Sequence, residues 1–182
     1  MFRFLLVAMC LVPGAAPLSG VTMQQLSMDD LAVKSTAIIR GHVIDSYTAF
    51  SGPTVYTHYH VAVEEVLKGS AGVTMDVAVP GGTSGNIRQS YPGVPQLSTG
   101  TDYVLYLWTA PSTGITFPTG FSQGIFIVTG SSASGLVTTR SASSELMIGG
   151  TGQPVQDRQV SMSLANLKSQ VSAALARQSS AK

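Results

Sequence analysis

Charge is what this 182-residue chain has least of: Asp, Glu, Lys and Arg make up 10% of it, against about 25% in an ordinary soluble domain. Ten basic and nine acidic residues leave a net charge of +1. A nucleic-acid binder needs a cationic footprint to displace phosphate counterions, so no nucleic-acid partner is expected. The same shortage excludes a polybasic membrane patch. There is one cysteine, Cys10, so no disulfide can form within the chain and the core alone must hold the fold. No apolar run reaches the roughly 20 residues a membrane helix needs, and no stable membrane insertion is expected. Carboxylates occur singly except for Asp29-Asp30 and Glu64-Glu65. The first pair reads as a helix start and the second points to opposite faces of a strand, so no acid/base couple is suggested. In place of charge the chain carries 19 Gly, 23 Ser and 17 Thr, with 44% hydrophobic residues. That is enough apolar material for a core, and the supply of β-branched and aromatic residues argues against disorder.

Residues 1–20 read as a secretory signal peptide: Arg3 is the positive region, residues 4–12 are apolar, and residues 13–20 are small and helix-breaking, where cleavage would fall. The expected address is secreted or periplasmic. Cys10 falls inside this segment, and Met9 before it does not suit lipidation.

Helix signals stand only at the two ends. Ser27-Met28-Asp29-Asp30 fits a capping box, with a stop expected by Ser35. Leu164, Leu167, Val171, Ala174 and Leu175 recur at helical spacing after Ser163, a suitable N-cap. Between them the period is two. Strands are expected over residues 37–47, 55–67, 73–79, 103–108, 125–128 and 136–139, with a bulge at Glu64-Glu65 where the alternation changes phase. The continuous apolar run at 103–108 suits a central strand. Short strands separated by Gly/Pro turns predict a mainly β sandwich or small barrel rather than a doubly wound α/β fold. The expected division is a signal peptide at 1–20, a β-barrel domain at 21–140, a linker at 141–160 and a C-terminal helix at 161–178.

Three stretches carry a resemblance. They are residues 31–43 (LAVKSTAIIRGHV), residues 63–69 (VEEVLKG) and residues 100–107 (GTDYVLYL). With Gly120-Phe121-Ser122-Gln123-Gly124 and Pro80-Gly81-Gly82 they resemble a group of uncharacterised secreted bacterial proteins. Over residues 28–130 they are distantly similar to the netrin-like module of tissue inhibitors of metalloproteinases. The resemblance implies an OB-like antiparallel barrel of five or slightly more strands with a short N-terminal and a C-terminal helix. It also implies a protease-inhibitor role by fold analogy. Those inhibitors chelate the protease zinc through an N-terminal cysteine, which the chain after residue 20 does not have, so that mechanism does not carry over.

No catalytic residue is assigned. Gly120-Phe121-Ser122-Gln123-Gly124 has the letters of a nucleophile elbow, yet His42, His58 and His60 all precede Ser122 and no helix pattern follows it. It reads as a turn into the next strand. His58 and His60 stand on one strand face roughly 7 Å apart, and are the only metal-ligand candidates. Two ligands fall short of the three or four a firm site needs, so no metal and no cofactor is expected. Residues 81–100 form a long Gly/Pro/Ser loop of the kind that carries function, and Gly81, Gly82, Ser84, Asn86, Arg88 and Tyr91 are its candidate ligand-binding residues. Tyr47, Phe50, Tyr56, Tyr91, Trp108, Phe117 and Phe121 are either residues most of which fill or cap the core or, with Ser, Gly and Asn around them, a binding surface. The function expected is a non-enzymatic module that binds an extracellular or envelope protein, a metalloprotease among the candidates. The alternatives are a secreted hydrolase or metal-dependent enzyme built on Ser122 or on His58 and His60, and a structural envelope component.

Overall fold

A computed structural model describes residues 22–131, 135–143 and 146–180. The expected signal peptide and Cys10 lie outside the described residues. In chain order the elements are β1 (Thr22–Gln24), α1 (Met28–Lys34), β2 (Ala37–Ser51), β3 (Thr54–Lys68), β4 (Thr74–Pro80), β5 (Gly82–Ser84), β6 (Ile87–Gln89), β7 (Asp102–Thr109), β8 (Thr116–Pro118) and a 3₁₀ turn at Phe121–Gly124. They continue with β9 (Ile125–Ser131), β10 (Gly135–Arg140), β11 (Leu146–Ile148), β12 (Pro154–Val155), β13 (Val160–Ser163) and α2 (Leu164–Ser180). The described residues are mainly β, as expected, with two helices among them. The main sheet runs β13-β10-β9-β7-β2-β3-β4, with β8 also pairing β7, and every pairing in it is antiparallel.

The long β2–β3 hairpin shapes this sheet through three extra residues. Leu67 and Glu64 are each skipped in the pairing on β3, and Ile44 is skipped on β2. A bulge bends its strand and adds twist. The curl carries β4 round until β8 packs beside it. No backbone ladder joins β4 to β8 among the described residues, so the expected barrel is not closed. The Glu64 bulge also corrects the reading of the acidic pair. Glu64 meets Arg40 and His42, while Glu65 meets Lys168 of α2. Both carboxylates serve the same face of the sheet.

Each face is covered differently. One packs on the helices, through Ile38, Val104, Tyr106, Phe126 and Val128 against Leu31 and Ala32 of α1 and Leu164, Leu167, Val171 and Ala174 of α2. The other is the inside of the curl, where Ile39, Val43, Tyr59, Val61, Val77, Val79, Leu105 and Leu107 gather. Both helices being on the first face, the inner face is closed by the irregular chain before β7, which places Leu97 in this cluster and Val94 against it. Part of the loop expected to bind ligand is therefore a lid on the core.

Both helix starts follow their signals. Ser27 Oγ accepts from Asp30 N–H at 3.0 Å, and Asp30 Oδ2 accepts in return from Ser27 N–H at 3.2 Å. Ser163 Oγ accepts from Asn166 N–H at 3.2 Å. The end of α1 is closed from outside, by Lys68. Its ammonium donates to the carbonyls of Ala32, Val33 and Ser35 at 2.7, 2.9 and 2.6 Å, using all three donors of the group where the helix dipole favours a cation. Residues 141–160, expected as a linker, contain β11 and β12, and β11 pairs in parallel with β1.

Arg140, at the end of β10, ties the chain after β12 to the sheet. Its guanidinium donates to both Asp157 oxygens, at 2.7 and 2.9 Å, and to Arg158 O at 3.0 Å. Burial acts to raise the Asp157 pKa, but the hydrogen bonds from Arg140 and from the Ser143 and Arg158 amides hold it below the ordinary 3.8. A carboxylate with a depressed folded-state pKa stabilises the fold above its unfolded value, and that contribution is lost as pH falls through the folded value. Asp157→Asn is expected to lower stability by roughly 3 kcal/mol at neutral pH, since it strands a buried guanidinium. Urea unfolding should show the variant and parent converging as pH drops below about 4.

Candidate functional site

The segment Gly120-Phe121-Ser122-Gln123-Gly124 is an anchor for the chain's N-terminal strand. Gln123 is buried, 2% exposed. Its Oε1 accepts from Leu26 N–H at 2.8 Å and its Nε2 donates to Gln24 O at 3.1 Å. One side-chain amide thus satisfies a donor and an acceptor of the strand leading out of β1. A Cβ on Gly120 would stand 2.9 Å from Leu26 Cδ1, and one on Gly124 would stand 2.4 Å from Thr119 O, so neither position has room for a side chain. Ser122 lies in the 3₁₀ turn that leads directly into β9. The turn expected here is present, and Gly120, Gln123 and Gly124 have packing roles visible in their contacts.

A different role falls to Phe121, the one non-glycine residue with positive φ among the described residues, at 53°. The left-handed region costs an ordinary side chain roughly 1–2 kcal/mol, and such strain collects at functional positions. Here it turns the Phe121 ring into a groove of about 710 Å³. Trp108, Phe117, Tyr56 and Pro80 line this groove, Met23 of the anchored strand borders it, and Lys34 stands at its edge. A second trough of about 290 Å³ continues from it past Tyr91, Pro92 and Val94, sharing Met23, Tyr56, Pro80 and Phe121. The groove lies where β8 comes beside β4, so the sheet's curl makes it. Its rings are ordered: Trp108 stacks on Phe117 with centroids 6.5 Å apart, and Phe117 meets Tyr56 at 5.8 Å. Trp108 is 42% exposed. The seven aromatics weighed in the sequence are all exposed or half-buried, not core fillers, and five of them meet along these two troughs.

The row of rings continues into a polar cluster. Tyr56 meets His58 at 6.4 Å, His58 stacks on Tyr47 at 4.8 Å, and Tyr47 meets His60 at 5.2 Å. His58 Nδ1 is 2.6 Å from Asp76 Oδ1, and His60 Nδ1 is 2.6 Å from Asp45 Oδ1. The Tyr47 hydroxyl donates to Asp76 at 2.9 Å, and that bond with the carboxylate's charge raises its pKa. Asp45 and Tyr47 reach this face because of the Ile44 bulge. On β2 the odd residues Ile39 and Val43 face the inner core, and one extra residue turns the following odd positions outward. They then pair with His60 and His58. The sequence shows the two histidines but not these partners, which depend on the pairing register. His42 sits apart, 3.2 Å from Glu64. No three His, Cys, Asp or Glu side chains are placed to share a metal ion among the described residues.

The six loop candidates divide. Gly82 and Ser84 fall in β5 and Arg88 in β6, with Asn86 in the turn between. This small hairpin is fastened to the β2–β3 turn. Thr48 Oγ1 donates to Thr83 O at 2.6 Å, and Gln89 both accepts from Val55 N–H at 2.7 Å and donates to Pro53 O at 2.9 Å. Gly81 N–H bonds Val55 O at 2.7 Å beside Pro80. Of the six, Tyr91 alone lines the troughs described above.

Gln123→Ala is expected to cost roughly 2 kcal/mol, because it strands a buried amide and carbonyl. Hydrogen exchange at Leu26 should accelerate well beyond the global change. Comparison of the chain with family models, with curated proteins and with solved structures finds no match.

Proposed function

We propose that this chain is an exported, non-enzymatic binding module that captures a protein or cell-envelope ligand in the ring-walled groove between β8, the end of β4 and Phe121. The observation that carries the reading is the ordered set Trp108, Phe117 and Tyr56, left open to solvent beside a strained Phe121. Apolar rings held open on a rigid sheet are the usual anchors of a recognition surface. The resemblance to OB-like and netrin-like modules fits the curled antiparallel sheet. Those folds serve as carriers of binding surfaces, though fold alone does not name a function. The packing roles of Gly120, Gln123 and Gly124 account for the G-x-S-x-G letters without a nucleophile, which supports a binding reading over a hydrolase.

The test uses purified protein as bait against the host's secreted and envelope fractions, with two groove variants. Trp108→Ala should lose at least tenfold in captured ligand, the loss expected for a central aromatic anchor. Phe121→Gly separates stability from binding. Glycine takes the left-handed conformation freely, so its melting temperature should equal or approach that of the parent while capture falls. Undiminished capture by both variants overturns the proposal, as would turnover of a substrate abolished by Ser122→Ala.

A further inference from the structure

We infer that the ligand of this groove is an extended, proline-rich peptide segment carrying a carboxylate, with the acid placed at Lys34; the inference rests on the groove being the binding site. Three observations point to it. The groove and its continuation make one long, shallow trough through the shared Met23, Tyr56, Pro80 and Phe121, a shape for a chain rather than for a compact molecule. Its walls are rings and prolines, with ring centroids 5.8–6.5 Å apart along Tyr56, Phe117 and Trp108. Aromatic walls of this kind suit the polyproline II helix, whose pre-set backbone loses little entropy on docking.

Three side chains of the trough, Tyr56, Trp108 and Lys34, carry O–H or N–H donors. Among the described residues the Tyr56 hydroxyl and the Trp108 indole N–H have no hydrogen-bond partner, and the Lys34 ammonium makes no hydrogen bond or close ion pair, its charge being felt by Asp30 one turn back on α1. A site offering donors against apolar walls selects a ligand rich in acceptors. A proline run is such a ligand: each residue presents a carbonyl and, lacking N–H, no backbone donor. Lys34 adds charge complementarity for a carboxylate. Asp30, the acidic side chain nearest in sequence, is already committed to the Ser27 cap. An acyl chain would suit the rings, but its single carboxylate leaves the hydroxyl and the indole unanswered.

Trp108 is the only tryptophan, so its fluorescence reports on this groove directly. Three probes are titrated into the full chain: an oligoproline peptide bearing aspartate at one end, the same peptide without the aspartate, and laurate. The acidic oligoproline is expected to shift Trp108 emission saturably. Lys34→Gln should weaken it about five- to tenfold and leave the uncharged peptide unchanged. Tyr56→Phe should weaken both peptides. Both substitutions keep the side chain's bulk, and circular dichroism confirms that each variant folds. No saturable shift with either peptide overturns the inference, as does a shift with laurate alone. Equal binding of both peptides with no effect of Lys34→Gln overturns the assignment of the acid. If the oligoprolines are silent while Trp108→Ala still abolishes capture from envelope fractions, this inference falls and the groove reading stands. If Trp108→Ala leaves capture intact, both fall.

Discussion

The bend in the β2–β3 hairpin is the constraint on which the rest of the molecule depends. Three unpaired residues, Ile44, Glu64 and Leu67, break the register of its two longest strands. Each changes which face the following side chains occupy. Past Glu64, Glu65 is turned to the face where it meets Lys168 of α2, and the second skip at Leu67 returns Lys68 to that face, where it caps α1. Past Ile44, Asp45 and Tyr47 turn outward to meet His60 and His58. A regular hairpin would put Asp45 and Tyr47 into the core and turn Glu65 away from α2. The curl that the bulges introduce also brings β4 round to β8, and with it Tyr56 to Phe117.

The groove is thus a consequence of a sheet that bends nearly into a barrel without a hydrogen-bonded seam. Where a ladder would have placed paired backbone, the structure places rings and prolines. Their exposure is maintained from beneath. Gln123 holds the strand that sets Met23 at the groove, and Gly120 and Gly124 permit the tight turn that presents Phe121. A Leu at 123 would preserve bulk but leave Leu26 N–H and Gln24 O unpaired. The strain at Phe121 is affordable because the neighbouring contacts fix the turn on both sides.

The face carrying the groove changes character along its length, from the apolar contact with the helices, through the rings, to the histidine–aspartate pairs. Only its first part is core. The inner face, by contrast, is apolar along most of its length, with Thr48 and Thr57 at the end under β5, and takes its cover from Val94 and Leu97. This is why the long loop after β4 does two jobs, closing the core with one part and offering Tyr91 to the trough with another. Had both helices been split between the faces, the loop would have been free of the first task.

Much of the framework was legible in the sequence because it rests on local chemistry. The capping box at Ser27, the period of α2, the central strand at 103–108 and the phase change at Glu64 are each written within a few neighbouring residues. The candidate site was legible only as composition. Trp108, Phe117, Tyr56 and Phe121 stand out as aromatics, a composition equally consistent with filling or capping a core. Their assembly joins β7, β8, β3 and the turn before β9, separated by dozens of residues, and follows from curvature that no local pattern encodes. The partners of His58 and His60 were hidden for the same reason, since a single skipped residue at Ile44 decides which face Asp45 takes. The amino-acid sequence by itself determined the β-rich class, the helix ends and the apolar supply for two core layers, because propensity, capping and periodicity act over short range. Which aromatics meet, which carboxylates reach the histidines and where the sheet stays open were decided only by tertiary structure, because they depend on register and bend accumulated across the whole sheet.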